Sequence, residues 1–421
     1  MKNFTERAGL FHSLCSEKRV SEALNILAEL RNGAETVREF VALGFCLSRV
    51  GMFEEAERAL DLVWPAFTPK EEDTISVASE RATVKLHLGR FEEGVAIEKM
   101  IRSREWFRVS STVDQNLRDG FNQLFRRKLL EDECSANGKS IFVIFVGGLG
   151  DAIEQIRNVE RLLEDGATSI FADPPEPLCE LLANSALPVI LKRATIDNLA
   201  SCDAVAFGNL LNWRYSTPGQ PSVPHGNYLA PMGNRKPAIP VSAESGKRKI
   251  GIVWRSKNAT WAQCRHEPFR SMELSTLEPF LTNADVQFYS LQYGPLTGSE
   301  REVLTRHGVI DKSPHIHSFA DLADVMMQLD LLITIDSAPA HLAGALGVPV
   351  WMMLAAVADW RWGDVNQKST YLYRSMKLFR QSTLGEWAPV AVKIASELMR
   401  VGCPEVSAKE SAIERSRVAL P

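Results

Sequence analysis

The sequence predicts an α + α/β protein: a helical-repeat region in the first third, then two doubly wound α/β halves. Three observations carry this. Similar segments, "VSEALNIL", "FEEAERAL" and "FEEGVAIE", recur early in the chain. From Ile141 onward, short β-rich runs alternate with helical stretches, the pattern of parallel sheets covered by helices. Residues 212–249 interrupt that alternation with six prolines and the basic run "GKRK", which reads as a long loop and a linker.

The composition sets the frame. A chain of 421 residues has room for two or three domains, and 45% apolar with 24% charged residues is ordinary for a globular protein. A net charge of −4 leaves no basic footprint for nucleic acid. Seven cysteines stand far apart with no CxxC spacing, which fits a reducing compartment better than a disulfide framework. The start "MKNFTERAGLFHSL" lacks the apolar core of a signal peptide. The run "VPVWMMLAAVA" is too short to span a bilayer. The expectation is a cytoplasmic protein that is not integral to a membrane.

The repeats begin at Val20, Phe53 and Phe91, spacings of 33 and 38 residues, and turn glycines precede the last two in "SRVGMFEEA" and "HLGRFEEG". Each segment looks like the start of a second helix in a helical hairpin, and a period near ~34 residues is the tetratricopeptide signature. Stacked pairs share a core and present a concave face. That face reads equally as a docking surface for a partner or acceptor and as a cap that shields and dimerises. Residues 101–137, with "FNQLFRRKLLEDE", read as a last amphipathic helix and a polar linker.

The strands expected next are "IFVIFV", "TSIFA", "LPVIL" and "DAVAF", then "IGIVW", "VQFYSL", "LLITI" and "PVWMM". The resulting division is a repeat region at 1–137, α/β halves at 138–246 and 247–403, and a polar tail at 404–421. In doubly wound folds ligands bind beyond the carboxyl ends of the strands, so a cleft between the halves is the expected site.

Two loops carry chemistry. The first, "GGLGDAIEQI", begins like a dinucleotide fingerprint, with Gly148 and Gly150 as its first two glycines, but Ile153 stands where the third belongs. Asp151 would put a carboxylate where the pyrophosphate sits in that motif. The loop is therefore built to hold a carboxylate. Two readings of Asp151 stand side by side: a general base for a hydroxyl in the cleft, and an acidic cap of the helix that follows.

The second loop is "LLITIDSAPAHLAGALGVPVWMM". A buried strand ends at Ile335, and Pro339 marks the first turn of a helix whose free N–H groups suit an anion. Ser337 adds a hydroxyl, and the small side chains of Ala338 and Ala340 permit close approach of a pyrophosphate. Asp336 is placed to accept hydrogen bonds from sugar hydroxyls. His341 either donates to a phosphate or packs the turn.

The pair "GGLGDAIEQIRNVERLLEDG" and "TIDSAPAHLAGALGVPVW" resembles glycosyltransferase family 9, the ADP-heptose–lipopolysaccharide heptosyltransferase group, and more closely its branch with N-terminal tetratricopeptide repeats. "IGIVWRSKN", "FRSMELSTLEPF", "FYSLQYGP", "ADWRWG" and "SMKLFRQ" extend the resemblance in order over residues 141–381. The resemblance implies a GT-B fold of two Rossmann-like domains, the first on the acceptor side and the second holding the nucleotide sugar. It implies inversion at the anomeric centre with no catalytic metal and no cofactor; the nucleoside-diphosphate sugar, ADP-heptose among the candidates, is a co-substrate. Asp151 matches the aspartate regarded as the base. Asp336 matches the donor-sugar aspartate, and Ser337 to His341 match the pyrophosphate turn. Lys257, Arg265 and Arg270 are the cations of the segment that meets the donor phosphates, with Arg270 the best placed. Gln292 is expected to face the nucleotide, and Trp360, with Arg361 and Trp362, to line the donor cleft.

The expected function is transfer of a heptose or hexose to a hydroxyl of a glycan or of a protein acceptor docked on the repeats; the homo-oligomeric state is left open. One rival is a non-catalytic scaffold that senses a nucleotide. Another is a nicotinamide-dependent oxidoreductase with Asp173 on a ribose, against which the missing third glycine and the position of Asp151 both weigh.

Overall fold

The computed structural model describes residues 3–67, 72–105, 115–131, 134–216, 226–230, 239–242, 244, 246–256 and 267–400. Helices α1 (Phe4–Ser16) and α2 (Val20–Arg31), α3 (Val37–Arg49) and α4 (Phe53–Val63), and α5 (Glu72–His87) and α6 (Phe91–Glu105) pack as three consecutive pairs. The recurring segments open α2, α4 and α6. Two residues before each opening the chain turns in the left-handed region, at Lys18 (φ 60°), Gly51 (φ 82°) and Gly89 (φ 73°). Glycine adopts that conformation without the Cβ clash that burdens a lysine. An ionic cluster joins the second and third pairs: the buried Lys85 ammonium lies 2.9 Å from Glu57 on α4 and 2.8 Å from Glu93 on α6.

Helix α7 (Gln115–Lys128) departs from the expected role of a last repeat helix. Its Phe121 and Phe125 share an apolar cluster with Phe142, Val205 and Phe207 of the first sheet. It therefore covers one face of that sheet, and Leu130 N donates to Val205 O at 2.8 Å just beyond it.

The first sheet holds β1 (Ser140–Ile144), β2 (Ser169–Asp173), β3 (Ile190–Leu191) and β4 (Ala204–Phe207), all parallel in the order β3-β2-β1-β4. The second holds β5 (Arg248–Val253), β6 (Val286–Ser290), β7 (Ile310–Asp311), β8 (Leu331–Ile335), β9 (Val350–Leu354) and β10 (Met376–Arg380), parallel in the order β10-β9-β8-β5-β6-β7. Counted from its own first strand, each sheet follows the doubly wound 3-2-1-4 progression, which the second extends to six strands. The strand order reverses between β1 and β4 in one sheet and between β5 and β8 in the other, and these switch points open crevices at the carboxyl edges. Burial on both faces explains near-continuous apolar runs such as "LLITI".

The units share cores. One cluster runs from Ile141 and Val143 through Ile153 to Leu332 and Leu342, across the two α/β halves. Another joins Phe11, Leu27, Leu47 and Leu60 of the helix pairs to Ile252, Trp254 and Ile333 of the second half. The helix pairs thus pack onto the second half, and Lys18 Nζ donates to Ser271 O at 3.0 Å.

Candidate active site

The first loop leaves β1 and turns at Gly147, whose φ is 101°. A side chain there would collide with the Asp151 carboxylate, so this glycine makes room for it. Helix α8 (Leu149–Gln155) follows, with Asp151 in its first turn. Gly148 N donates to Asp151 Oδ2 at 2.7 Å, so the capping role is realised. Gln155 reaches back, accepting from Val146 N at 3.0 Å and donating to Val146 O at 2.6 Å, which fixes the loop at the β1–β4 switch point.

The second loop follows β8. Ser337 is the N-cap residue of the helix Ala338–Leu346, which ends at the left-handed Gly347. The Ser337 hydroxyl turns back onto Ile335 O at 3.1 Å and takes no part in capping. Ala340 is fully buried. A Cβ built on Gly150 would lie 2.8 Å from His341 Cδ2 and 3.5 Å from Ala338 Cα. Gly150 is therefore where α8 meets the Ala338–Leu346 helix, and its missing side chain permits that contact.

His341 is packed rather than presented. Its Nδ1 lies 2.9 Å from the Tyr373 hydroxyl, and its ring lies 5.1 Å from that of Trp362. Burial, and secondarily the Arg361 charge, lower its pKa, so the imidazole is held neutral. The chain of polar groups continues from Tyr373 to the Tyr228 hydroxyl at 3.3 Å and on to Ile153 O at 3.0 Å, crossing between the halves.

Arg361 is the centre that the sequence left undefined. Its Nη1 lies 2.7 Å from Asp151 Oδ1 and 2.6 Å from Glu154 Oε2, and its Nε lies 3.0 Å from Asp359 Oδ1. The guanidinium is mostly buried, at 18% side-chain exposure. Burial alone would lower its pKa, but the charges of Asp359, Glu154, Asp151 and Asp336 outweigh that and hold it well above its usual value. Asp151 and Asp336 thus act on one cation. Glu154 is buried as well and accepts from Asn212 Nδ2 at 3.1 Å.

Other expected residues sit differently. Gln292 is 1% exposed; its Oε1 accepts from Trp254 N and Arg255 N, at 3.1 and 3.0 Å, and its Nε2 donates to Arg255 O and Tyr293 O, at 2.9 and 3.1 Å. Its amide pins the turn after β5 instead of facing a ligand. Trp360 stacks on Trp213 at 5.5 Å and meets the edge of Phe91 at 6.3 Å, so it joins α6 to both α/β halves rather than standing open in a cleft. Arg270 ends the short helix Glu267–Arg270, half-buried beyond the carboxyl end of β5. Lys257 and Arg265 lie outside the described residues. Among the described residues, no group of His, Cys, Asp and Glu has the form of a metal site, and no helix is long and apolar enough to cross a membrane.

No family model matches the chain. Over 155 residues it is 30% identical to protein FlbA of Caulobacter vibrioides, which covers 36% of this chain and 25% of that protein. The chain thus aligns with about a quarter of the length of this curated relative. Among solved structures it is similar to the glycosyl transferase family 9 protein of Veillonella parvula, with 13% identity, 65% of this chain and 92% of that chain covered, and a TM-score of 0.40. It is also similar to the ADP-heptose lps heptosyltransferase II of E. coli, with 11% identity, 61% and 95% covered, and a TM-score of 0.41. In its own topology, the chain has a helical N-terminal region followed by two parallel-sheet α/β units, an architecture that fits a GT-B-like fold.

Proposed function

We propose that this chain is an inverting glycosyltransferase that moves a heptose or hexose from a nucleoside-diphosphate sugar to a hydroxyl of a glycan or protein acceptor. One observation carries the reading. A carboxylate on the loop after β1 and a helix N-terminus after β8 come together where the halves touch, with Gly150 against Ala338. The resemblance of both loops to family 9 sequences adds weight, and ADP-heptose is the first donor to try.

In this mechanism Asp151 takes the proton of the acceptor hydroxyl as its oxygen attacks the anomeric carbon. The bond from that carbon to the diphosphate oxygen breaks on the opposite face, and the diphosphate leaves with the electron pair. The first N–H groups of the Ala338–Leu346 helix stabilise that charge, and Asp336 orients the sugar. Arg361 positions Asp151; one carboxylate oxygen still has a lone-pair direction for the incoming hydroxyl. No metal takes part, so the rate should be unchanged in a chelator. The tetratricopeptide reading of the helix pairs, the docking of the acceptor on them, and a cytoplasmic site belong to the same proposal.

A second reading has its own observation. Both Asp151 oxygens are already hydrogen-bonded, to Gly148 N and Arg361 Nη1, as suits a nucleotide-sensing scaffold. The Asp151→Asn variant separates the two. Transfer should fall by about 10²-fold or more, while stabilisation by a nucleoside diphosphate, read as a thermal shift, stays near wild type. Equal turnover in the variant removes Asp151 as the base, and diphosphate binding without turnover in the wild type favours the scaffold.

A further inference from the structure

The arginines at the carboxyl edge of the second sheet are not equivalent. Arg255 Nε lies 2.8 Å from Glu300 Oε1, and Arg361 is shared by Asp151, Glu154 and Asp359. Arg380, the last residue of β10, differs. Its Nη2 donates to the carbonyls of Trp362 and Gly363, at 3.1 and 3.0 Å. Its Nε is buried without an acceptor, and no carboxylate among the described residues lies within ion-pair distance of it. Desolvation lowers its pKa, with Asp364 and Asp336 the acids that oppose this from further off. Arginine stays charged even so, and a desolvated cation without a counter-ion is costly.

The strand alternation shows where this cation points. Met376 and Leu378 belong to the core that contains Ala340 and Leu342, whereas Phe379 belongs to the core on the opposite face. Arg380 shares the parity of Met376 and Leu378, so it emerges on the face covered by the Ala338–Leu346 helix. That helix follows β8, so its N-terminus lies at the same carboxyl edge as Arg380. Strands β8 and β10 are separated by β9 alone, a span of about 10 Å that an arginine and a diphosphate together bridge. A second orphan donor lies against the helix's first turn. Trp362 is 0% exposed, its ring packs on His341, and its Nε1 has no acceptor.

We propose that Arg380 supplies the counter-charge for the donor's diphosphate, with the Trp362 indole N–H and the first turn of the Ala338–Leu346 helix completing the anion seat. This rests on the transferase reading and deepens it. The two arginines divide the work: Arg361 organises the acidic side of the cleft, where hydroxyls react, and Arg380 receives the anion. The two main-chain carbonyls hold the guanidinium in place before any ligand arrives.

The test uses the full chain and two probes without metal: inorganic pyrophosphate and a panel of ADP, UDP, GDP and CDP. Affinities are read from thermal shifts over a concentration series. The wild type and Arg374→Gln, a change at an exposed position outside the seat, should bind pyrophosphate and at least one nucleoside diphosphate alike. Arg380→Gln should weaken both by about tenfold or more, and Arg380→Lys, which keeps the charge and loses the fork, by less. A folded Arg380→Gln that binds these probes as the wild type does overturns the proposal and leaves the transferase reading standing. If Arg380→Gln does not fold, undiminished binding by Arg380→Lys overturns it instead. If the wild type binds none of the probes, both the proposal and the reading it rests on fall.

Discussion

Asp151 is at once a cap, an ion-pair partner and the proposed base, and Arg361 ties the three together. Removing Arg361 would take the shared cation from Asp151, Glu154 and Asp359, leaving Glu154 with the buried Arg157 at 3.4 Å. Breaking a buried pair from one side is costly, so Arg361→Gln should lower unfolding free energy by about 3–5 kcal/mol in chemical denaturation. Adding Asp151→Asn to that variant should restore part of the loss, because one of the stranded charges is then gone. Independent, additive effects of the two changes would mean that their contact does not matter to stability. The Asp151 loop itself was legible in the sequence, since "GGLGDAI" departs from a phosphate loop in the charge of Asp151 and in Ile153 at the third glycine's place. Arg361 was legible only as part of a tryptophan-rich motif. It stands 210 residues from Asp151, and no local pattern encodes that meeting.

The helix pairs were legible because each second helix restarts the same apolar spacing. The turns before them test the conformational argument directly. Lys18 holds the left-handed geometry that Gly51 and Gly89 hold in the later pairs. Lys18→Gly should therefore stabilise the chain by about 1 kcal/mol, less whatever the exposed bond to Ser271 contributes, raising Tm by a few degrees at most. Gly51→Ala should do the reverse: it adds a Cβ at φ 82°, and that Cβ would lie 2.8 Å from Val357 Cγ2. A neutral Gly51→Ala would show that this turn relaxes freely. Two elements escaped the sequence. Strand β7 has only two residues, too few for any periodicity. In β10, "MKLFR", two cations mask the alternation; Lys377 pairs with Glu397 on one face, and Arg380 closes the strand on the other. Gln292 was misplaced for a related reason: a polar residue after a strand reads as a ligand contact until its main-chain partners are known.

Across the whole molecule, the helix pairs are packed into the body of the α/β halves rather than appended to it. Phe91 of α6, Trp213 and Trp360 form one aromatic group drawn from the helix pairs and from both α/β halves. The residue next to Trp360 is Arg361, so this packing bears on the turn that holds Asp151. Phe91→Ala should cost about 1–3 kcal/mol of stability, since the ring is only partly buried. On the proposed mechanism it should also reduce turnover more than donor affinity, because the disturbed turn carries Arg361, which is paired with the proposed base Asp151. Steady-state kinetics beside diphosphate thermal shifts would separate the two, and unchanged turnover would detach the repeats from the chemistry.

What the sequence determined by itself is the set of local elements: the starts of the second helix in each pair, eight of the ten strands among the described residues, and the two loops that follow β1 and β8. Periodicity and turn chemistry act over a few residues, so they can be read along one chain. The tertiary structure alone decided that α7 serves the first sheet, that Gly150 lies at a contact between the halves, and that Arg361 and Arg380 differ in charge balance. Those outcomes depend on which distant side chains are desolvated together, and burial of a charge is a property of the assembled fold.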